Sequence, residues 1–196
     1  SRQTRKGTLG SLQMVQEAEP RVKRLYLARC AEPIVNQMSM IRRFSGDGQI
    51  VSFHAPYACE ACSTQFERLV DCEHDAEAIT RGVAPAASCP RCGGVGAFDD
   101  DARTYFGFAT SHAGKPVPAE VRAAIAALAR RDEPVGGEAV EKTIEGRVTR
   151  VKVNCKLDAA VRWNRILDGI EGQVVFDLGG APGATPEGAA AFEAAL

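Results

Sequence analysis

The chain has 196 residues, of which 45 % are hydrophobic, and its formal net charge is −1 at pH 7. This length suits one or two globular domains with an ordinary core. No run approaches the roughly 18 apolar residues that span a bilayer, so we expect no membrane-spanning helix. The sequence shows no secretory leader, but it begins at Ser1 rather than Met, and we therefore expect either processing or a longer parent chain.

The near-neutral total conceals an uneven distribution of charge along the chain. Residues 1–50 contain nine Lys and Arg against four Asp and Glu, whereas residues 51–101 contain three against nine. A basic segment attracts the phosphates of nucleic acid, and an acidic one repels them. Arg42 and Arg43 are the candidate phosphate contacts, but the acidic segment that follows makes nucleic acid the less favoured partner.

The N-terminal quarter of the sequence alternates between helical and strand patterns. Residues 7–19 have a loose helical period, and residues 21–29 alternate apolar with polar side chains. The alternation predicts a strand with one solvent-facing side, on which Tyr26 would lie. A helix begins at Glu32, and residues 49–54 predict a second strand. Because a helix joins the two strands, we expect them to be parallel.

Four of the seven cysteines form two C-x-x-C pairs, CEAC and CPRC, which are separated by 26 residues. The second pair is followed by two glycines, which let the backbone turn under a metal ion. Two disulfides or free thiols are the alternatives, but a redox C-x-x-C usually occurs singly beside a βαβ unit. The spacing therefore predicts a structural tetrathiolate zinc site, with a closed shell formed by Cys59, Cys62, Cys89 and Cys92.

The three remaining cysteines do not extend this pattern. Cysteines that serve as zinc ligands indicate a reducing compartment, and we expect the cytoplasm. Cys30 and Cys155 are predicted to be small buried apolar residues beside strands. Cys72 and His74 could supply a spare ligand pair, but four thiolates already fill a zinc shell. An exposed turn is therefore the favoured interpretation of Cys72 and His74.

The acidic middle segment predicts a small zinc-ribbon domain. Residues 64–72 follow the first cysteine pair as a candidate strand, and residues 75–82 predict a helical turn or a loop. The run from Asp99 to Asp101 could bind a cation, although a solvated turn is the simpler interpretation. Aromatic residues should pack as a core over this small site rather than stack on bases, and they are Phe66, Phe98, Tyr105, Phe106 and Phe108.

The C-terminal half contains a second series of elements after a linker-like stretch at residues 111–118. Alanine-rich residues 118–131 predict a helix, and residues 139–157 predict two strands or one bent strand that turns near Gly146. The remaining predictions are an amphipathic helix over 158–168, a strand buried on both faces over 174–178, and a final helix with Thr185 as N-cap and Pro186 at its first position.

Two stretches of this C-terminal half resemble STAS domains, the fold of anti-sigma-factor antagonists. Residues 153–160 read VNCKLDAA and are similar to the family's opening stretch, and residues 174–180 read VVFDLGG and are similar to its central strand. Gly188 matches the glycine after the family's phosphorylated serine. Glu187 occupies the serine position and cannot be phosphorylated. It either imitates the phosphorylated state or is an ordinary first-turn glutamate, which is the favoured alternative.

The resemblance covers only the first half of such a domain, and the N-terminal segment has the element order of the second half. Gly7 could be the equivalent helix-opening glycine, preceded by Lys6, which also cannot be phosphorylated. We expect the halves to complete each other within one chain or between two chains of a homodimer. The predicted segments are a second STAS-like half (1–55), a zinc ribbon (56–112), a linker with a helix (113–138) and a first STAS-like half (139–196).

No catalytic pattern is evident in the sequence. The three histidines, His54, His74 and His112, have no nearby triad partners, and the glycines of residues 179–183 lack the lysine of a P-loop. The expected fold class is α+β or α/β, with STAS-like pieces flanking a four-cysteine zinc ribbon. The resemblance implies a bacterial regulatory scaffold, without enzymatic activity, that binds a protein partner. The alternative is a nucleic-acid-binding zinc ribbon.

Overall fold

The computed structural model of the chain describes residues 22–40, 47–129 and 139–195. The predicted helix over 7–19, the glycine at position 7 and the arginines at 42 and 43 lie outside these residues. In chain order the elements are β1 (Val22–Ala28), α1 (Glu32–Met40), β2 (Gln49–Ile50), β3 (Ser52–Cys59), β4 (Gln65–Asp71), α2 (Ala76–Arg81), β5 (Ala87–Ser88), β6 (Val95–Phe98), α3 (Ala102–Phe106), a 3-10 turn (Gly107–Ala109), α4 (Ala119–Ala129), β7 (Val140–Glu145), β8 (Val148–Val153), α5 (Trp163–Ile166), β9 (Gly172–Asp177) and α6 (Pro186–Ala195).

The described residues form a mixed sheet of five strands and an antiparallel sheet of four, with helices on both, so the α+β class is confirmed. The five-stranded sheet has the order β2-β1-β9-β8-β7, in which only β7 is antiparallel to its neighbour. β1 pairs with β9 from Val22 opposite Gly172 to Ala28 opposite Asp177. Segments from the two ends of the chain therefore share one sheet.

Several predicted elements of this sheet are confirmed. The strands joined by α1 are parallel, and β7 and β8 form a hairpin at Gly146, whose φ of 61° suits glycine. Residues 174–177 of β9 are buried, as expected for a strand covered on both faces. The hydroxyl of Thr185 accepts the Gly188 N–H at 3.0 Å, which confirms Thr185 as the N-cap of α6.

Helices cover both faces of the five-stranded sheet. Helices α1, α5 and α6 contribute Ile34, Trp163 and Phe192 to the larger core on one face. Helix α4 covers the other face, where Val121 lies in one buried cluster with Tyr26. The prediction of a solvent-facing side for β1 is therefore wrong, because Tyr26 is only 1 % exposed beneath α4.

The predicted strand over residues 49–54 is confirmed as extended chain, but it divides between the two sheets. β2 ends after Ile50, and β3 begins at Ser52 and pairs antiparallel with β4 from Ser52 opposite Asp71. A parallel bridge between Cys30 and Phe53 joins the end of β1 to β3. One extended segment therefore passes from the five-stranded to the four-stranded sheet, and the sequence carries no break at this point.

The predicted helix over 158–168 shortens to the four residues of α5. Leu157 forms an isolated bridge with Ala184, donates its N–H to Gly183 and accepts the N–H of Thr185. These contacts keep the chain extended beyond β8, and the side chain of Asp158 then accepts the N–H of Ala160 in a turn. Contacts with distant residues thus delay the start of the helix.

The four-stranded sheet has the order β4-β3-β6-β5 and carries the predicted aromatic core. Phe98 lies 5.5 Å from Tyr57 and 5.2 Å from Phe106 between ring centroids, and Phe53 lies 5.0 Å from Phe108. These rings belong to the same core as the α1 side of the five-stranded sheet. The interpretation of the aromatic residues as core is confirmed.

No helix within the three described ranges is both long and apolar enough to cross a membrane. The five-stranded sheet draws on residues 22–50 and 140–177, and the four-stranded sheet on residues 52–98. The predicted division of the chain into four segments, including the two STAS-like halves, stays a prediction.

Candidate metal centre

Two equivalent turns present the four cysteines of the paired motifs. In the first turn, Cys59 donates its N–H to the carbonyl of Thr64 at 2.9 Å and accepts the N–H of Ser63 at 2.9 Å. In the second, Cys89 makes the same two bonds with Gly94 (2.8 Å) and Gly93 (2.9 Å). Each turn therefore has the same backbone form and brings both of its cysteines to one side.

The fourth position after the first cysteine of each turn has a left-handed backbone. Gly93 has a φ of 74° and Ser63 a φ of 53°. Serine tolerates this conformation less well than glycine, because its Cβ crowds the backbone. Gly94 also lies in a tight space, since an added Cβ would lie 3.1 Å from the Cβ of Ala61 and 3.3 Å from the sulfur of Cys92, and these side chains would have to shift slightly.

The four sulfurs converge to the spacing of a single metal ion. All four lie within 4.8 Å of one another, and Sγ–Sγ distances are 3.4 Å for Cys62–Cys92, 3.5 Å for Cys59–Cys92 and 3.7 Å for Cys62–Cys89. A tetrahedron with metal–sulfur bonds of ~2.3 Å has sulfurs about 3.8 Å apart. A disulfide needs a separation of about 2.05 Å, and all seven cysteines are free. The donor set therefore fits a metal ion, and the disulfide alternative is wrong.

The cluster has a buried side and an exposed side. Cys59 and Cys89, which begin the two motifs, are each 3 % exposed. Cys62 is half-buried and Cys92 is exposed. Each turn thus contributes one sulfur facing the protein and one nearer the solvent.

Polar groups around the cluster form hydrogen bonds with the sulfurs. The Thr64 hydroxyl lies 3.2 Å from the sulfur of Cys62, and the Arg91 N–H donates to the sulfur of Cys89 at 3.4 Å. The guanidinium of Arg91 reaches the Thr64 hydroxyl at 3.5 Å. The roles of Thr64 and Arg91 were not predicted from the sequence. The one available signal was the position of Thr64, which lies two residues after Cys62, as Gly94 lies two residues after Cys92.

These contacts shift the pKa values of two of the thiols in opposite directions. Hydrogen bonds from the hydroxyl and the N–H of Thr64 lower the pKa of Cys62 to about 6. The N–H of Gly94 lowers the pKa of Cys92, but its contacts with the Cys62 and Cys59 sulfurs outweigh this and raise it to about 12. Cysteine binds a metal ion as the thiolate, so metal binding at this cluster would release protons.

The structure places the other predicted ligands elsewhere. Cys72 is 1 % exposed at the end of β4, whereas His74 is exposed and its Nδ1 lies 3.2 Å from Asp71. The exposed-turn interpretation is therefore wrong for Cys72, whose pKa burial raises to about 12. Cys30 is buried as expected, but Cys155 is only half-buried. The four paired cysteines are the only cluster of three or more metal-ligating groups among the residues described.

Glu187 lies exposed in the first turn of α6. The next residue, Gly188, packs against the backbone of Leu157, so that an added Cβ would lie 2.1 Å from the Leu157 carbonyl oxygen. Glycine at position 188 is therefore needed for the close approach of α6 to the extended segment that follows β8.

The three histidines lie in separate parts of the chain, His54 in β3 and the other two in turns, and have separate partners. Burial is the main cause that lowers the pKa of His112 to about 4, so its neutral Nδ1 accepts a backbone N–H at 3.3 Å. The partners are Glu67 for His54, Asp71 for His74 and the N–H of Ile50 for His112.

An ion-pair network that the sequence did not reveal lies between β4 and α4. Arg122 donates to Asp71 at 3.2 Å and to Glu73. Glu73 also accepts the N–H of Val117 at 3.1 Å, and Arg68 pairs with Asp75 at 2.8 Å. The network fastens α4, which covers the five-stranded sheet, to the four-stranded sheet.

No protein-family model matches the chain, and no curated protein or solved structure is similar enough to count as a match. The resemblance to STAS domains stays a prediction.

Proposed function

We propose that the chain is a non-enzymatic interaction module whose four-stranded sheet is held by a structural zinc ion. The observation that carries this proposal is the convergence of four cysteine sulfurs within 4.8 Å. A metal bound by all four has a complete tetrahedral shell, whereas catalytic zinc keeps one position for water or substrate. The site is therefore suited to stability rather than to reaction.

The choice of zinc follows from the ligands. Tetrahedral sulfur sites hold zinc or iron, and zinc is the usual ion in structural sites made of four cysteines. Seven free cysteines also suit a reducing compartment, and we assign the chain to the cytoplasm. Zinc would hold the two turns together where β5 pairs with β6 at only two positions, Ala87 with Gly96 and Ser88 with Val95.

Metal analysis tests the zinc assignment directly. Protein purified under reducing conditions should contain one zinc per chain, and Cys59→Ser or Cys89→Ser should lower this content strongly. Cys155→Ser is the matched control, because Cys155 is also a free cysteine but is not in the cluster. Iron in place of zinc would show that the assignment of zinc is wrong but that a metal centre exists. Protein without bound metal would contradict the proposed centre.

The order of strands supports a STAS-like scaffold. Reading from its antiparallel edge, the five-stranded sheet runs β7, β8, β9, β1, β2. This is the strand order expected if the C-terminal segment supplies the first half of such a unit and the N-terminal segment supplies the second half. We propose that the halves complete each other within one chain. Light scattering at low concentration should then give the mass of one chain, 20.9 kDa, and an obligatory dimer would contradict this.

The edge strand β7 is the candidate surface for a protein partner. It pairs only with β8 among the described strands, and its Ile144 is 63 % exposed. An unpaired strand edge with an exposed apolar side chain favours association with another chain. We therefore propose that the partner docks along β7.

A matched pair of variants tests this surface. Ile144→Lys should abolish retention of a specific partner from a cell extract, whereas Val95→Lys should retain it. Val95 is 65 % exposed, so the two substitutions add equal charge at equally exposed apolar positions on different sheets. If only Val95→Lys loses the partner, the docking surface lies on the four-stranded sheet instead. If both variants retain the partner equally well, it docks neither at β7 nor at Val95.

One observation favours nucleic-acid binding as a second candidate. Lys23, Arg24 and Arg147 line one cavity of about 460 Å³ at the start of β1 and β8, together with Glu120 and Glu171. Three cations could follow a phosphate backbone, although two carboxylates share the cavity. Binding to DNA measured against salt concentration distinguishes the candidates, since a log–log slope near zero would remove this one.

A further inference from the structure

We propose that the metal centre is also an oxidation site, in which an oxidant such as peroxide joins Cys62 to Cys92 and releases the ion. This inference rests on the proposed zinc centre and adds a reaction of its ligands. Its basis is the unequal burial of the four sulfurs and their separation across the two turns.

The solvent reaches the cluster from one side only. Cys59 and Cys89 are each 3 % exposed, whereas Cys92 is exposed and Cys62 half-buried. Oxidation of cysteine follows exposure as well as thiolate character. Because metal binding makes all four sulfurs thiolates, exposure selects Cys92 as the first sulfur to react.

The nearest half-exposed sulfur is in position to complete the reaction. The sulfur of Cys62 lies 3.4 Å from that of Cys92, and the two belong to different turns. Cys59 is almost as near to Cys92, at 3.5 Å, but is buried against β6. Moving two outer sulfurs together requires less displacement of packed groups than moving a buried one.

The reaction balances with peroxide as the two-electron oxidant. The Cys92 thiolate attacks one peroxide oxygen, the O–O bond breaks, and a sulfenic acid and hydroxide form. The Cys62 thiolate then attacks the sulfur of the sulfenic acid, an S–S bond forms, the S–O bond breaks, and a second hydroxide leaves. Two thiolates are oxidised to one disulfide, and peroxide is reduced to two hydroxide ions. The loss of two of four ligands releases the ion.

The oxidised form should loosen only the part of the fold that the metal holds. β5 has two paired residues, and β6 is joined to β3 through three pairs from Tyr57–Phe98 to Cys59–Gly96. These short pairings are the first to open when the turns lose their common ligand. The five-stranded sheet, whose part of the shared core contains Trp163 packed 4.7 Å from Phe192, should be unaffected.

The first experiment uses the unmodified protein. Zinc content is measured before oxidation, and peroxide is then added while zinc release is followed with a chromogenic chelator and disulfides are mapped by mass spectrometry. We expect release of one zinc per chain, a Cys62–Cys92 disulfide, and recovery of zinc binding after dithiothreitol. A Cys59–Cys89 disulfide, or zinc retained after excess peroxide, would overturn the inference alone. Protein that lacks zinc before oxidation would overturn the proposed centre and the inference with it.

A matched pair of ligand exchanges provides the second test. Cys92→His and Cys89→His each keep four zinc ligands but remove one sulfur, from the exposed and the buried side respectively. Cys92→His should release zinc at least about tenfold more slowly with peroxide, whereas Cys89→His should stay within about twofold of the unmodified protein. Equal rates of zinc release in the two variants would contradict the inference. If either variant fails to bind zinc, the disulfides mapped in the unmodified protein decide whether the inference holds.

Discussion

Thr64 sets Cys62 apart from the other three sulfurs, because it adds a side-chain hydroxyl to the backbone donors of its turn. The hydroxyl lies 3.2 Å from the Cys62 sulfur and also accepts from Arg91 at 3.5 Å. Donors behind a metal ligand orient it and reduce the charge that it presents to the ion. The equivalent position of the second turn is Gly94, which has no side chain to donate. The two turns therefore share a backbone form but differ in how they would support a metal ion.

Replacing Thr64 with valine should weaken zinc binding by about tenfold, the lower end of the range for groups behind a ligand. Valine keeps the shape of threonine and removes only the hydroxyl, so the loss measures the donor. Competition with a chromophoric chelator measures the affinity.

Thr64→Ser is the control, because serine keeps the hydroxyl and should restore affinity to within about twofold of the unmodified protein. Equal affinity in all three proteins would show that the hydroxyl does not support the centre.

At the scale of elements, Arg122 joins α4 to the end of β4. It donates to Asp71 and Glu73, and α4 in turn buries Tyr26 and Val121 over the five-stranded sheet. Arg122→Gln should therefore lower the melting temperature by about 2–4 °C, the shift expected when one partly buried interaction is lost from a chain of this size.

Arg81→Gln is the matched control for this substitution. Arg81 pairs with Glu77 at 3.2 Å, but the two side chains are 68 % and 86 % exposed. Exposed pairs of this kind contribute little, so the melting temperature should change by less than about 1 °C. An equal effect of the two substitutions would show that the Arg122 network does not hold α4.

The contribution of Arg122 should also depend on pH. Burial alone raises the pKa of Asp71, but hydrogen bonds from the His74 N–H and the Arg122 guanidinium outweigh it and lower the pKa below its ordinary value of 3.8. The Arg122 guanidinium lowers the pKa of Glu73 below 4.5. Depressed carboxylate pKa values add stability above the ordinary values, and this stability is lost as the pH falls through the folded-state values. The difference between Arg122→Gln and the unmodified protein should therefore shrink below about pH 4.5.

The contact of α6 with the segment that follows β8 depends on the absence of a side chain at position 188. An added Cβ would lie 2.1 Å from the Leu157 oxygen and 2.6 Å from the Asp158 Cα, and backbone atoms cannot turn away. Gly188→Ala should destabilise the fold by about 1–3 kcal/mol, the cost of forcing an extra methyl group into a packed contact. Chemical denaturation measures this difference.

Gly107→Ala is the control, because an added Cβ there meets no atom within 4 Å and the backbone is helical, with a φ of −53°. Alanine should leave stability unchanged or raise it by about 0.4–1 kcal/mol. A neutral Gly188→Ala would contradict the close packing of α6.

Elements determined by neighbouring residues were predictable from the sequence, and those determined by distant contacts were not. The cysteine turns and the N-cap at Thr185 depend on bonds within six residues, and spacing alone revealed them. The burial of Tyr26 depends on α4, almost a hundred residues later. The short α5 likewise depends on the bridge between Leu157 and Ala184. The sequence predicted the α+β class because periodicity is local, but it did not indicate where the chain leaves one sheet for the other.

At the scale of the whole molecule, the two sheets share one core but differ in what holds their far ends. The core passes from Phe176 through Leu27 and Ile34 to Phe53 and Tyr57. β3 then extends from Ser52 to Cys59, about 23 Å at the usual rise of a strand. The cysteine cluster therefore lies at the end of the four-stranded sheet, where β5 and β6 provide few paired residues.

Removing the metal should consequently open this end and leave the five-stranded sheet folded. The single tryptophan reports on that sheet, because Trp163 is 2 % exposed and its ring lies 4.7 Å from that of Phe192. After chelation, we expect unchanged tryptophan emission and loss of amide-exchange protection in β5 and β6, since these short strands lose their common anchor. Added zinc should restore protection. Cys155→Ser, with its zinc ligands intact, should respond to chelation in the same way as the unmodified protein. If tryptophan emission shifts to that of the unfolded chain as zinc is removed, then the ion supports the whole molecule rather than one end of it.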